Sequence, residues 1–442
     1  MRRALLAIVA GLAFAAGVDV GAGGGREPGA TGPPVPPQVR TAVERFFDGY
    51  VRDDGRVVRR DQGGDTVSEG QAYALLLAVA VGDEERFARV WRWTRDHLQR
   101  SDGTLAWRWE PPARRSGADG RRDAAGGSGA AGGSGAADGS GAAGRSGAAG
   151  GSGVAGESGA AGRSGAAGGS SAAAAQRDRE LPGPAADADL DAARALALAA
   201  RRFDEPAYGR AARAIGRAVL TRQTARAVGT RVLVAGPWAR RDVVVNPSYF
   251  SPRAYSALFA LDGDRRWKAL RDSSARIARR VLDGPAGLPP DWAKVLPWGV
   301  VPVAAPATAA AAGADSAAAV PSYGYDAVRL PVRYAEACTP DQRALAARPW
   351  PALHAHAVAT GGAVPAVQGL DATPRAAGSH PAALVGAAAA ARAAGDVGAG
   401  DRLLDRADAV AAREPTYYGA AWAALGRVML ATRLLGRCAG SG

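Results

Sequence analysis

The stretch T-V-S-E-G-Q-A-Y, at residues 66–73, is the segment around which the rest of the chain is organised. Ser68 and Gln71 have the S-x-x-Q spacing of a capping box. In this motif the serine side chain accepts a hydrogen bond from a free helix amide, and the glutamine side chain accepts one from the amide of the cap residue. The apolar residues 73–81 predict a continuing helix, so we expect Glu69 in its first turn. The helix dipole favours a carboxylate there, so this position alone does not indicate catalysis.

Amphipathic and alanine-rich segments recur along the chain and predict an all-α domain of paired helices with little strand. The segment L-A-W-R-W-E at residues 105–110 is expected to be short and extended. The predicted helices span residues 39–51, 68–81, 84–98, 187–203, 207–225, 252–261, 265–282, 326–337, 349–360, 381–394, 401–413 and 417–435.

Two regions of unusual composition lie outside this helical pattern. Residues 1–25 combine a basic start with a short apolar run and predict a signal peptide, followed by a disordered leader at 26–37. Residues 111–180 carry serines at a regular six-residue interval among glycine and alanine, which predicts a flexible insertion without catalytic residues. The catalytic domain is therefore expected at 38–438, interrupted by this insertion.

Composition excludes some classes of function. The net charge of +13 comes from arginines that are spread along the chain, so no nucleic-acid partner is expected. Cys338 and Cys438 are the only cysteines, and they are either a disulfide of an oxidising compartment or two buried thiols. His354 and His356 form an isolated pair, so no metal site is predicted.

Three acidic residues from distant segments share one description. Glu69, Asp187 and Asp326 each begin a predicted helix, beside small residues and near aromatic ones. If alternate helices run parallel, their N-termini meet at one end and bring the three acids into one cleft. Paired carboxylates and aromatic platforms are what glycosidic bond cleavage needs. A general acid needs a raised pKa, so burial and a neighbouring carboxylate, for which Asp187 is the candidate, must outweigh the dipole at Glu69.

Several short pieces, taken in order, resemble glycoside hydrolase family 8. They are V-S-E-G-Q-A-Y, L-A-W-R-W-E, A-D-A-D-L-D-A-A, V-N-P-S-Y-F, P-D-W and Y-D-A-V-R-L-P-V-R. The resemblance covers residues 39–435 apart from the insertion. It implies an all-α (α/α)6 toroid of paired helices, with a catalytic cleft at one end and an inverting mechanism that needs no cofactor. The family includes endoglucanases that accompany bacterial cellulose synthesis, lichenases, xylanases and chitosanases.

The resemblance also implies roles for individual residues. Glu69 would be the proton donor, Asp326 the general base, and Asp187 a contact of the sugar in the −1 subsite, although older family descriptions call it the nucleophile. The remaining substrate-binding residues would be Arg329 and Tyr325, which flank the base, and Trp107, Trp109 and Tyr249, which contact sugar. The chain departs from the family at Ala186, where Ser or Thr is usual, and at Ala192, where Ile or Met is favoured.

Other aromatic and acidic residues have open or structural interpretations. Asp189 and Asp191 are expected to be cap and surface charges, with the alternative that Asp191, one turn after Asp187, faces the cleft. Trp238 and Trp292 are either cleft platforms or wall packing, and Tyr417 and Tyr418 are expected to belong to the core.

The sequence therefore predicts an exported endo-β-1,4-glucanase, secreted or periplasmic, that acts on cellulose or a related β-glucan. Activity on chitosan, mixed-linkage glucan or xylan is the nearest alternative, and a catalytically impaired glycan-binding protein is a further one. The expected partner is the polysaccharide, with no membrane insertion after signal cleavage. A monomer is expected, and a cellulose synthase complex is a candidate partner.

Overall fold

The structure, a computed structural model, describes residues 34–111, 176, 178, 181–307, 320–376, 378–436 and 438. The predicted signal peptide and most of the predicted leader and insertion lie outside these residues. The described helices are α1 Pro37–Tyr50, α2 Ser68–Val81, α3 Glu84–His97, α4 Ala186–Arg202, α5 Pro206–Arg222, α6 Pro252–Asp262, α7 Arg266–Leu282, α8 Arg329–Ala335, α9 Pro340–Ala347, α10 Trp350–Ala359, α11 Pro381–Ala393, α12 Val397–Arg413 and α13 Tyr417–Ala431.

Ten of the thirteen described helices fall into two classes. Helices α2, α4, α8, α11 and α13 are buried on nearly every side and consist largely of alanine and other apolar residues. Helices α1, α3, α5, α7 and α12 bury one face and expose a charged one. A helix that is apolar all round belongs in an interior, and an amphipathic helix covers it.

The five buried helices and α6 form a closed ring of inner helices. Following the chain, α2 contacts α4, α4 contacts α6, α6 contacts α8, α8 contacts α11, α11 contacts α13, and α13 returns to α2. The amphipathic helices pack outside this ring. The most extensive contacts between an inner and an outer helix join α4 to α5 and α11 to α12. This is the predicted (α/α)6 toroid.

Short paired strands lie in the connections between some of the helices. Strand β1 (Thr66–Val67) pairs with β2 (Arg108–Trp109), and β3 (Thr224–Ala227) pairs with β4 (Thr230–Leu233). Strands β5 (Val244–Val245), β6 (Trp292–Leu296) and β7 (Gly299–Val303) form an antiparallel sheet in that order. All are short connections, so the all-α class stands.

Two sequence expectations about local structure need correction or completion. The helix expected at 326–337 begins only at Arg329, and Asp326 lies in the turn that precedes it.

Cys338 and Cys438 form a disulfide bond with a Cα–Cα distance of 5.3 Å, which resolves the open alternative. This bond joins the segment after α8 to the C-terminal end of the described chain. The guanidinium of Arg253 donates to the sulfur of Cys338 at 2.9 Å and to the carbonyl of Gly436 at 3.0 Å.

In the part of the chain that the structure describes, no helix has both the length and the apolar composition needed to cross a membrane.

Candidate active site

Glu69 lies in the first turn of α2, as predicted, but the prediction of a capping box formed by Ser68 and Gln71 is wrong. Ser68 is the first helical residue, and its amide bonds the carbonyl of Trp107 at 2.9 Å because β1 pairs with β2 immediately before it. The Gln71 side chain does not reach back to the helix start. It accepts from the Val57 amide at 2.6 Å and donates to the Thr94 hydroxyl at 2.8 Å, so it ties α2 to α3 and to the preceding loop.

The environment of Glu69 favours its protonated form. Burial is the largest cause and repulsion from Asp187 the second, and together they raise the pKa of Glu69 to about 8. A backbone hydrogen bond and the positive charges of Arg329 and Arg59 act in the opposite direction without prevailing. Burial and Asp187 therefore act on the pKa of Glu69 in the direction that the sequence analysis expected.

The segment that contains Trp107 and Trp109 links the start of α2 to the start of α4. On one side it pairs with Thr66 and Val67 through β1 and β2. On the other side, the Trp107 amide bonds the carbonyl of Gly183 at 3.0 Å, and Gly183 precedes α4 by a few residues. Residues 105–110 are therefore extended, as predicted, and place Glu69 and Asp187 on neighbouring helix N-termini.

Asp187 lies in the first turn of α4 and is 2 % exposed. Its Oδ2 atom accepts a hydrogen bond of 2.7 Å from Nη1 of Arg329. Its Oδ1 atom is buried and has no hydrogen-bond partner among the described residues. Buried polar atoms are almost always paired in proteins, so this oxygen is available to a group that enters the site.

Asp326 shares the Arg329 guanidinium with Asp187. Nη2 of Arg329 donates to Oδ1 of Asp326, while Nη1 donates to Asp187, so one fork holds both carboxylates. Arg329 itself is 3 % exposed and lies at the N-terminus of α8. The planar guanidinium suits such double recognition, because its donors point in fixed directions.

Aromatic side chains enclose the Arg329 guanidinium. Its carbon lies 5.2 Å from the ring centroid of Tyr249, within the range of a cation–π contact. Nη1 also donates to the hydroxyl of Tyr73 at 3.3 Å. Tyr249 is therefore placed beside both aspartates, and their charges, after burial, raise its pKa well above the usual value.

The other predicted sugar contacts have varied surroundings. Trp107 is 7 % exposed, and Trp109 packs edge-on against Trp93 and His97 of α3. Tyr325 packs edge-on against His380, and its carbonyl accepts from the Tyr418 hydroxyl at 2.8 Å. Their predicted contacts with sugar stay predictions.

The aromatic residues whose role was open or structural also have defined places. Trp292 is buried against Trp238 and Tyr249, which favours wall packing. Tyr417 is buried, as expected, and packs on Phe46 and Tyr50.

Asp189 and Asp191 are buried, so their interpretation as cap and surface charges is wrong. Asp189 accepts from the Leu105 amide at 2.8 Å and from the Gln223 side chain at 2.6 Å. Asp191 forms a two-bond ion pair with Arg333, which lies one turn beyond Arg329 on α8.

A third buried pair, Arg194 with Glu336, continues the contact between α4 and the end of α8 at 2.6 Å. Each of the three ion pairs joins residues 142 positions apart, so α4 and α8 run parallel in fixed register.

Asp291, the acid of the P-D-W piece, has no role that the sequence predicted. It is 3 % exposed, and its Oδ1 atom accepts from the amides of Gly324 at 3.1 Å and Ala327 at 2.7 Å. These amides belong to the turn that carries Asp326. Burial and repulsion from Asp326 raise the pKa of Asp291 to about 7. The P-D-W motif was the only sequence signal that could have singled out Asp291. No local sequence pattern shows that its carboxyl group bonds the turn around Asp326.

Within the described ranges, no group of three His, Cys, Asp or Glu side chains is arranged to hold a metal ion.

The chain is similar to one known protein family and to several solved structures. The model of Glycosyl hydrolases family 8 matches residues 37–130 and 168–432. A probable endoglucanase of Novacetimonas hansenii is 27% identical over 316 residues, which are 69% of this chain and 69% of that protein.

Two solved structures show the same fold at low sequence identity. The endo-beta-1,4-glucanase CMCax from Acetobacter xylinum has a TM-score of 0.60 and 24% identity, with 89% of this chain and 98% of that chain covered. The beta-1,3-1,4-glucanase from Paenibacillus sp. X4 has a TM-score of 0.65 and 18% identity, with coverages of 89% and 90%. Because the family model matches well over half of the sequence, the chain belongs to the glycosyl hydrolases of family 8.

Proposed function

We propose that this protein is an exported endo-β-1,4-glucanase that hydrolyses cellulose or a related β-glucan with inversion of configuration. The observation that carries the proposal is the contrast among three neighbouring carboxyl groups. Glu69 has a pKa of about 8, whereas Asp187 and Asp326 share the counter-charge of Arg329. Carboxyl groups placed in such different environments are typical of an acid and base assignment.

Glu69 is the proposed proton donor. With a pKa of about 8 it carries its proton at neutral pH. In the reaction it gives this proton to the glycosidic oxygen as the bond from that oxygen to the anomeric carbon breaks. The leaving glucan then departs as a neutral alcohol.

Asp326 is the proposed general base. It takes a proton from a water molecule as the water oxygen bonds to the anomeric carbon from the face opposite the leaving group. The guanidinium of Arg329 holds the Asp326 carboxylate in place. Attack from the opposite face of a β-glucoside gives an α-anomer as the first product.

Asp187 is the proposed contact of the sugar in the −1 subsite. Its Oδ1 atom has no partner among the described residues, and a buried carboxylate oxygen of this kind accepts well from a sugar hydroxyl. Tyr249, whose ring centroid lies 5.2 Å from the guanidinium carbon of Arg329, is the neighbouring aromatic surface. The roles of Trp107, Trp109 and Tyr325 as further sugar contacts are part of the same proposal.

Export and substrate are supported by separate observations. The disulfide between Cys338 and Cys438 is typical of an oxidising compartment, in agreement with the signal-peptide pattern of residues 1–25. The relatives described as endoglucanases support a β-1,4-glucan substrate. A cellulose synthase complex is the proposed partner because the resemblance includes endoglucanases that accompany cellulose synthesis.

One experiment tests the substrate and the stereochemistry together. The purified protein is incubated with carboxymethylcellulose, mixed-linkage glucan, xylan and chitosan, and new reducing ends are measured. Fresh cleavage of a cello-oligosaccharide is then followed by proton NMR. The expected results are preference for the β-1,4-glucan and an α-anomer that appears first. If the β-anomer appears first, the assignment of Asp326 as the general base is contradicted. If the protein prefers xylan or chitosan, the assignment of β-1,4-glucan as its substrate is contradicted.

Mixed-linkage glucan is the second candidate substrate, because the Paenibacillus structure with the same fold is a beta-1,3-1,4-glucanase. A catalytically impaired glycan-binding protein is the candidate from another class, and Ala186 is the feature that favours it. Tight binding of β-glucan without new reducing ends would support that alternative.

A further inference from the structure

We propose that Asp291 is a positioning residue for hydrolysis, which holds the turn 322–327 and thereby orients the carboxyl group of Asp326. This inference rests on the proposed function, since it takes Asp326 as the general base. It adds a residue to which the sequence assigned no role.

The first observation is the pattern of hydrogen bonds at Asp291. A turn that leads into a helix leaves backbone amides without helical partners. Two such amides, of Gly324 and Ala327, donate to Oδ1 of Asp291 at 3.1 Å and 2.7 Å. The Asp291 amide in turn donates to the carbonyl of Ser322 at 2.8 Å. A residue just before β6 therefore fixes both ends of the turn.

The second observation is close packing of the carboxyl group on Gly324. A Cβ atom added to Gly324 would lie 2.5 Å from Oδ2 of Asp291, which is far inside van der Waals contact. The absence of a side chain at Gly324 is thus what lets the turn approach the carboxyl group. Any larger residue there must change the distance between the turn and the Asp291 carboxyl group.

The third observation concerns Asp326 itself, which lies between the two amides that Asp291 holds. Asp291 fixes the backbone on both sides of it, while Arg329 fixes its side chain. A misplacement of about 1 Å at a reacting group can cost about 10²-fold in rate. Asp291 therefore acts on the reaction through the geometry of Asp326 and does not need to touch the substrate.

The test compares Asp291→Ala, Asp291→Asn and Asp326→Ala with a matched control, Asp396→Ala. Asp396 also accepts a backbone amide, that of Ala399 at 2.9 Å, but at the start of the outer helix α12. For each variant, thermal stability, kcat and KM are measured on a cello-oligosaccharide. Turnover of an activated aryl β-cellobioside is measured with and without sodium azide.

The expected result is a selective loss of turnover. Asp291→Ala should lose about 10²-fold in kcat with KM within about twofold of the parent enzyme. Asp291→Asn should recover most of this loss, because its amide oxygen can still accept from both backbone amides. Asp396→Ala should lose stability without a change in kcat.

Azide tests whether the loss arises at the base. Azide attacks the anomeric carbon without giving up a proton, so the carbon–nitrogen bond forms as the glycosidic bond breaks and no general base is needed. Azide should therefore restore turnover of Asp291→Ala and of Asp326→Ala, with the α-cellobiosyl azide as the product. It should not accelerate Asp396→Ala. If Asp291→Ala does not fold, Gly324→Ala moves the same turn from its other side and should show the same loss and the same rescue.

The outcomes separate this inference from the proposed function. If Asp326→Ala is inactive and rescued by azide while folded Asp291→Ala, or Gly324→Ala in its place, keeps the parent kcat, the positioning role is wrong. If Asp326→Ala keeps full activity, the assignment of Asp326 as the general base is wrong, and the positioning role of Asp291 is then wrong as well. An equal loss of kcat in the Asn and Ala variants without azide rescue would also overturn the positioning role.

Discussion

Arg329 and Asp187 are joined by a hydrogen bond of 2.7 Å between Nη1 and Oδ2, although 142 residues separate them in the chain. Both side chains are almost fully buried, so the charges compensate each other in the interior. The same guanidinium also holds Asp326, which lies in the turn just before α8. One arginine thus sets the positions of two of the three carboxyl groups in the site, and the third, Glu69, remains the group with the raised pKa.

Substitution of Glu69 by Gln should remove most turnover and leave the fold intact. The amide keeps the size of the side chain but has no acidic proton, and general acid catalysis is typically worth about 10²–10⁴-fold. The measurement is kcat on an unactivated cello-oligosaccharide, with binding followed by calorimetry. Glu84→Gln, in the first turn of the outer helix α3, is the matched control and should keep its activity. Near-normal turnover of Glu69→Gln would assign the acid role elsewhere.

The pH dependence of kcat/KM should show an alkaline limb near the pKa of Glu69. Because the pKa is raised to about 8, the carboxyl group is protonated below this pH and loses its proton as the pH rises through it. Activity should therefore fall above about pH 8. The measurement uses cellohexaose, and a dinitrophenyl β-cellobioside serves as control because its leaving group needs no acid. Identical alkaline limbs for both substrates would contradict the assignment.

Replacement of Arg329 by Lys should reduce turnover, and the loss of stability caused by the substitution should be too small to explain this reduction. Lysine keeps the charge but cannot present the fork that holds Asp187 and Asp326 together. The matched variant is Arg333→Lys, which breaks the same kind of buried fork to Asp191 one turn further along α8. Both variants should lose thermal stability, and only Arg329→Lys should also lose about 10²-fold in kcat. Equal kcat losses would mean that the ion pairs act only through stability.

Removal of the serine-rich repeats should leave melting temperature and hydrolysis nearly unchanged. The segments on either side are already tied together, because Arg100 donates to the carbonyl of Leu181 at 2.9 Å and the Trp107 amide bonds Gly183. Loop length itself has a small entropic cost. Residues 116–175 are replaced by a short Gly/Ser linker, and both properties are compared with the parent. A large fall in either would show that the repeats contribute to the domain.

Loss of the disulfide should destabilise the protein without a direct effect on catalysis. The bond joins Cys338 to Cys438 across 100 residues of sequence. In the chain-entropy description a loop of this length corresponds to about 4–5 kcal/mol. Denaturant unfolding of the double Cys→Ser variant, compared with the parent under oxidising and reducing conditions, measures this free energy. An unchanged unfolding free energy would contradict the prediction, as would a loss of kcat at a temperature where the variant is folded.

The sequence by itself determined the class of fold and the place of Glu69. The uniformly apolar residues of α2 and α11 and the one-sided patterns of α1 and α12 report burial directly, because helix periodicity is a local property. The apolar run after Glu69 and the acid-rich helix start at Asp187 placed both carboxyl groups at helix starts. The ordered motif pieces indicated the family.

Only the tertiary structure decided which partners the polar residues have. Gln71 has the spacing of a capping box, yet it bonds Val57 and Thr94, since the pairing of β1 with β2 already occupies the amide of Ser68. Asp191 resembles a surface charge in sequence, yet Arg333 makes it a buried ion pair. The free energy of a buried polar group depends on contacts that come from distant parts of the chain. Local sequence spacing carries no information about those contacts, and the ring of helices creates them.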